Sequence, residues 1–323
     1  MRILKFGGKS LGTLQKTQNI CKYIKKIYKK DKEIIIVVSA IGKTTDNLIE
    51  LAKSYGSSSD TRELDCLLST GETQSSALMA IMLNSFGVPA KSFQAHQLQI
   101  TTFGAHGNSK IAYINKDPIY KCFDDKSVAV VAGFQGINQN NETTTLGRGG
   151  SDITAAALGA SFDCNVEIYS DFNGVFAGDP RILPFKKLKK INYQEMINMA
   201  DGGSKVLERR ATEIAKSFGI DIISKGSSNL SKTGSIVSNI ENDLIAISTK
   251  ESICQITVTF SNINKMNFIV KNVLKCINCI NYYNLNIKSN LITFTIPMHE
   301  KNKILLNLSK RLNLLQTKKD AGN

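Results

Sequence analysis

The chain has 323 residues, 42% of them hydrophobic, with no Trp and five Pro. That length holds about two domains, and the composition is that of a globular and not a disordered chain. The net charge is +14, but the lysines are scattered without Arg and aromatic interleaving, so no nucleic-acid partner is expected and small anions such as nucleotides and carboxylates are favoured.

In chain order, MRILKFGGKS enters a strand at once, Arg2 to Phe6, so no signal peptide is expected. Gly7-Gly8 reads as a turn and Ser10 to about Lys29 as a helix. The tract KKIYKKDK (Lys25 to Lys32), like KKLKK (Lys186 to Lys190), reads as a solvated face. EIIIVVS (Glu33 to Ser39) is a buried strand, Ala40 to Tyr55 a loop and helix, and Leu64 to Phe86 a long helix across Gly71-Glu72. Strands follow at Ala90 to Phe93, Val128 to Val131, Val166 to Tyr169 and Ile220 to Ser224, with helices at Ile191 to Met199 and Lys205 to Phe218. Strands alternating with helices predict an α/β fold with a mostly parallel sheet covered on both faces. SSNLSKTG (Ser227 to Gly234) marks a break. Beyond about Ser248 the order becomes strand (Ile253 to Phe260), helix (Lys265 to about Tyr283), strand (Leu291 to Pro297), helix (Lys301 to Leu314). The predicted domains are 1–235, a linker at 236–250, and a small α+β domain at 251–323. No apolar run approaches the ~18 residues of a membrane span, so no membrane partner is expected. Seven cysteines, an odd number, fit a reducing cytoplasm.

Two loops carry the chemistry. TTTLGRGGSD (Thr143 to Asp152) lies between VAVVAGFQGI and the small-residue helix ITAAALGA. A glycine-rich loop opening a helix offers free backbone N–H groups and the positive end of the helix dipole to an anion. Arg148 adds a planar fork for a carboxylate or phosphate. SDFNGVFAGDPR (Ser170 to Arg181) follows the strand VEIYS and places Asp171 at its end. Two such loops after strands describe the ligand crevice of an open α/β sheet. Three other features are set aside. Gly42-Lys43-Thr44 ends like a P-loop, but Val37 stands where the first glycine belongs. Cys276-x-x-Cys279 sits in an apolar helical pattern without a second pair, as packing and not as a zinc site. His106 in FGAHGNSK is expected to be a solvated loop residue. No metal-ligand set is evident.

These residues resemble the amino-acid kinase family and, within it, the aspartate kinases. The resemblance runs in order through KFGGKSL, SAIGKTTDNL, STGETQSSAL, GFQG, TTTLGRGGSD, YSDFNGVFAGDPRI and INYQEMINMADGGSKVL, over about 235 residues. It implies a three-layer amino-acid-kinase (carbamate-kinase-like) fold with a small C-terminal ACT-like domain. It implies phosphoryl transfer from ATP, with Mg²⁺, to the side-chain carboxylate of L-aspartate, giving 4-phospho-L-aspartate on the way to lysine, threonine and methionine. By resemblance the catalytic residues are Lys5, Asp152 and Lys205. ATP is held by Lys5, Phe6, Gly7, Gly8, Lys9, Ser170, Asp171, Phe176, Arg181 and Lys205. The amino acid is held by Ser39, Thr45, Glu72, Arg148, Gly149, Gly150, Ser151 and Asp152, with Arg148 on a carboxylate and Glu72 on the ammonium.

Several positions depart from the family pattern. Lys9 replaces a Thr or Ser, Glu208-Arg209 replace His-Pro, Phe176 replaces a Tyr and Ser170 a Thr. They keep open a non-catalytic regulatory homologue and a kinase of shifted substrate. The tail has length for about one β-α-β-β-α-β ACT unit, whose last strand is not evident. A two-strand, two-helix unit leaves sheet edges open, which predicts a homodimer formed partly through residues 251–314 and weak or absent inhibition by lysine or threonine.

Overall fold

The computed structural model describes residues 1–56, 60–241, 244–250, 254–277 and 282–314. The elements run β1 (Arg2–Phe6), α1 (Leu14–Tyr28), β2 (Ile34–Val38), α2 (Thr44–Tyr55), α3 (Thr61–Ser85), β3 (Ala90–Phe93), β4 (Thr101–Phe103), β5 (Lys110–Tyr113), α4 (Asp117–Asp124), β6 (Val128–Ala132), β7 (Gln135–Ile137), β8 (Thr143–Thr145), α5 (Gly150–Phe162) and β9 (Val166–Ser170). Then come β10 (Val175–Phe176), β11 (Lys187–Leu188), β12 (Lys190–Asn192), α6 (Tyr193–Asp201), α7 (Arg209–Phe218), β13 (Ile222–Gly226), β14 (Ser235–Ser238), β15 (Ile245–Lys250), β16 (Gln255–Phe260), α8 (Met266–Ile277), β17 (Tyr283–Lys288), β18 (Leu291–Thr295) and α9 (Lys301–Arg311). They group into two compact units, Met1–Asn173 with Ile214–Gly234, and Gly174–Glu213 with Ser235–Asn323. Residues 174–213 thus cluster with the C-terminal part, and the span read as a linker contains β15.

In the first unit the strands β13-β9-β1-β2-β6-β3 form a parallel sheet. The runs IIIVV of β2 and VAVVA of β6 are buried at every residue, as parallel strands covered on both faces must be. On one face Leu4, Phe6, Ile34, Ile36 and Val38 meet Ile20, Cys21 and Ile24 of α1 and Met79 and Leu83 of α3. On the other, α5 packs on β1, β2 and β9. Its sequence GSDITAAALGASF has no polar face, and Gly150 to Gly159 are all buried. A Cβ on Gly159 would stand 2.5 Å from Val166 Cγ2, so only glycine lets the helix sit this close. Helices on both faces make the three layers expected. A second sheet, β5-β4-β7-β8, lies in the same unit. The chain moves from β1 through α1 to β2 on one side, whereas β9 and then β13 lie on the other. The C-terminal ends of β1 and β9 therefore flank a topological switch point, the place where open α/β sheets hold ligands.

In the second unit β12 and β14 pair in parallel and β10 with β11 antiparallel. A capping box opens α6: the Asn192 side chain accepts from Glu195 N–H, and Glu195 answers on Asn192 N–H. The remaining strands form an antiparallel sheet, β15-β16-β18-β17, whose Ile256, Val258, Phe260, Ile292 and Phe294 pack on Ile269 and Val273 of α8 and Ile304 and Leu308 of α9. Two strands were expected here, and the described residues form four. The Asn-rich YNLNIK of β17 has little strand preference of its own and is held by pairing with β18. The succession β16-α8-β17-β18-α9 fits an ACT-like domain. The edge that a strand after α9 would fill is occupied by β15, which precedes β16 in the chain. α8 is described to Ile277, and Tyr283, the expected helix end, begins β17; residues 278–281, Cys279 among them, lie outside the described residues, and Cys276 is a buried free thiol. α7 starts at Arg209, not Lys205, because the Glu208 carboxylate accepts from Ala211 N–H (3.0 Å) and caps it.

Candidate active site

Alternation along β1 sends Leu4 and Phe6 into the α1–α3 core and leaves Lys5 for the opposite face. There its Nζ meets Asp152 Oδ1 at 2.6 Å. Both residues are over nine-tenths buried, which a lysine and an aspartate tolerate only as a pair. Asp152 lies in the first turn of α5, where the helix dipole favours its charge. Directly after β1 the chain turns at Gly7-Gly8. Gly7 N–H donates to Tyr169 O (3.3 Å) and Gly42 N–H to Gly8 O (3.0 Å), pinning the turn between neighbouring strand ends. A Cβ on Gly8 would stand 2.4 Å from Ala40 O. Any larger residue would displace the backbone from the mouth of the crevice.

Glu72 of α3 is 3% exposed. Its Oε1 accepts from Ala40 N–H at 2.9 Å, while Oε2 is buried with no hydrogen-bond partner among the described residues. Burial pushes the carboxyl up to about 7, against the opposing pull of the Ala40 N–H and the Lys5 charge. Ser39 and Thr45 are half-buried at the end of β2 and the start of α2. Gly147 (φ 77°) and Gly149 (φ 72°) place a left-handed turn around Arg148, which is exposed. Gly150, Ser151 and Asp152 then open α5, with Gly150 N–H closing the turn on Gly147 O at 3.0 Å.

At the end of β9, the Ser170 hydroxyl accepts from Phe172 N–H (3.3 Å), and Asp171 is exposed. Lys9 reaches across the switch point, its Nζ 3.1 Å from Asp171 Oδ2. Phe6 offers no side chain here: its ring is buried and stacked on Tyr169, with centroids 4.8 Å apart. The other residues expected to hold ATP lie in the second unit. Phe176 is half-buried against that unit's apolar core, Arg181 is held by Asp179 (Nη2 to Oδ2, 2.6 Å), and Lys205 is exposed in the stretch before α7. The Arg181 hydrogen bonds hold the Asp179 carboxyl below its usual range. Among the described residues no three His, Cys, Asp or Glu form a group able to cage a metal.

Some residues around this site were not singled out from the sequence. Asp65, 1% exposed, accepts from His106 Nδ1, Gly107 N–H and Thr145 N–H, each at 2.9 Å, and from the Thr145 hydroxyl. His106 is therefore a largely buried partner of Asp65, not the solvated histidine expected. Gln135 donates from Nε2 to Ser69 O (3.1 Å) and accepts at Oε1 from Ala95 N–H (3.2 Å). The one local signal was spacing: Asp65 precedes Glu72 by two helical turns and so shares its face.

A sequence model of the amino acid kinase family matches residues 1–223. The chain belongs to the amino acid kinase family. Among curated relatives of this kinase-family chain, the aspartokinase of Geobacillus stearothermophilus is 43% identical over 222 residues, covering 68% of this chain and 54% of the relative. The aspartokinase of Corynebacterium glutamicum is 37% identical over 266 residues, covering 79% and 63%. The chain thus spans little more than half the length of the curated relatives it matches. Among solved structures, E. coli aspartokinase III in complex with aspartate and ADP aligns with a TM-score of 0.83 at 17% identity, over 97% of this chain and all of that one. The fold is therefore shared well beyond sequence similarity.

Proposed function

We propose that this amino acid kinase is an aspartate kinase, moving the γ-phosphoryl group of ATP to the side-chain carboxylate of L-aspartate. The observation that carries the reading is Glu72: a buried carboxyl with one oxygen unpartnered, beside the buried Lys5–Asp152 pair. A free amino acid brings an ammonium to satisfy such an oxygen, and Arg148 offers a fork to its α-carboxylate. The attacking carboxylate is already ionised at neutral pH, so no strong base is required. The task is to hold two anions together, by position and charge. Lys5 supplies a desolvated cation, kept in place by Asp152. The Gly7-Gly8 turn lets backbone N–H groups approach the phosphates. For Phe176, Arg181 and Lys205, which lie in the second unit, the role in holding ATP rests on the sequence resemblance. Mg²⁺ fits as an ion carried on the phosphates: the described residues form no protein cage, and that ion ordinarily keeps waters and takes one or two carboxylates. Asp152 and Asp171, beside the two crevice loops, are the carboxylates that would take it, and the ion would neutralise phosphate charge.

The test is ADP release with trapping of the acyl phosphate by hydroxylamine. Aspartate should be required, and glutamate should serve poorly because its extra methylene displaces the reacting carboxylate. Lys5→Ala should lower kcat by about 10²-fold or more, the scale of losing a preorganised charge. Folded protein with ample MgATP and no aspartate-dependent turnover ends the reading and leaves a non-catalytic homologue or a shifted substrate. A homodimer belongs to the same proposal, supported by the outer edges of β15 and β17, which no other strand pairs among the described residues. Light scattering of full-length protein should give twice the monomer mass; a monomer at micromolar concentration removes it.

A further inference from the structure

Several of the hydrogen bonds that reach α3 come from one rung of another element. Thr145 of β8 and Gln135 of β7 are directly paired across their antiparallel ladder. Thr145 is bound through its N–H and hydroxyl to Asp65. Gln135 is bound through Nε2 to Ser69 O and, at 3.3 Å, to Thr73 Oγ1. Positions 65, 69 and 73 are each one turn apart and lie on one face, and Glu72 belongs to that face. The strand side is held as firmly. Thr145 O accepts from Ser109 N–H (3.0 Å), and Asp65 also takes Gly107 N–H and His106 Nδ1, so the 104–109 loop closes over the same rung. From Thr145 the chain needs only the buried Leu146 before the glycine turn that presents Arg148.

We propose that Asp65 and Gln135 form a two-point clamp that fixes the distance between Glu72 and the Arg148 turn. They are positioning residues for the amino-acid pocket, and the proposal rests on the reading of Glu72 and Arg148 given above. A pocket that grips ammonium and α-carboxylate from two different elements discriminates by length only while those elements keep their spacing. The clamp therefore acts on amino-acid affinity and on choice between aspartate and its longer homologue. It has no part in holding the nucleotide.

The experiment compares Thr145→Val, which removes the hydroxyl but keeps the N–H bond, Thr145→Ser, which restores the hydroxyl, and Asp65→Asn. Kinetic constants for aspartate, glutamate and ATP are measured on each, with thermal melting to establish folding. Thr145→Val should raise the aspartate KM by about fivefold or more and narrow the preference for aspartate over glutamate, the scale of one hydrogen bond to a charged group. The ATP KM should change by less than about twofold, Asp65→Asn should exceed Thr145→Val, and Thr145→Ser should behave as wild type. Unchanged aspartate constants in folded Thr145→Val, or aspartate and ATP constants worsening together, overturn the clamp. Amide hydrogen exchange separates this outcome from failure of the aspartate reading. Whatever substrate the wild type uses, Thr145→Val should speed exchange in 143–150 and 65–76 and spare β2 and β6; unaltered exchange there overturns the clamp as well.

Discussion

Two carboxylates two helical turns apart, Asp65 and Glu72, lie on α3's buried face, and the protein treats them differently. Around Asp65 donors from the 104–109 loop and from β8 fill both oxygens. Around Glu72 one backbone N–H fills one oxygen and the other is left buried and empty-handed. Burial costs an ionised group dearly unless hydrogen bonds return the lost solvation. At Asp65 they do, and the result is scaffold. At Glu72 they do not, and the carboxyl holds its proton up to about 7. The difference teaches which of two equally buried acids is available to a ligand.

Glu72→Gln is the sharpest way to break that contrast. It removes the charge and nearly preserves the shape. The aspartate KM should rise by about 10- to 100-fold, the range for a lost charge-assisted bond, while the ATP KM holds. In the wild type, aspartate binding should strengthen as pH rises through about 7, because the ammonium requires the ionised carboxylate. In Glu72→Gln that dependence should vanish; a pH profile that survives the substitution reassigns it to another group. The sign for stability is opposite. The folded state holds this proton more tightly than the unfolded chain does. The contribution is therefore present at low pH and is lost as pH rises from about 4.5, the usual carboxylate value, through about 7. Denaturant titrations with and without Glu72→Gln should differ in that window and run parallel above it.

The smallest effect belongs to Lys9. Its ion pair with Asp171 is solvent-exposed on both sides, and such pairs contribute little. Lys9→Thr should shift the ATP KM by about fivefold at most, and less at high salt. A larger change, or one in the aspartate constant, would show Lys9 acting on the substrates directly.

Much of the first unit was legible because its signals are local. The unbroken apolar runs of β2 and β6, the small-residue helix and the glycine turns each follow from a few adjacent residues. Lys5, Asp152, Glu72 and Arg148 came from motifs, and the structure brings Lys5 and Asp152 into contact. Asp65 was not legible because its partners lie 41 to 80 positions away, and no periodicity marks a carboxylate whose donors are distant. His106 was misjudged for the same reason. In the tail, β17 carries Asn at 284 and 286 and pairs only through tertiary context. β15 reads as linker in the sequence because IAISTK is short and partly polar.

The place of β15 has a kinetic side. An edge strand supplied after α9 would have to return to β16 across two helices and two strands, closing a long loop before any contact rewarded it. Supplied from upstream, the edge is joined to β16 through residues 251–254 alone. The pairing becomes a hairpin of low contact order, which forms on the timescale of local events and not of long-range search. The edge that in the other topology would be this sheet's most distant pairing is here its most local one.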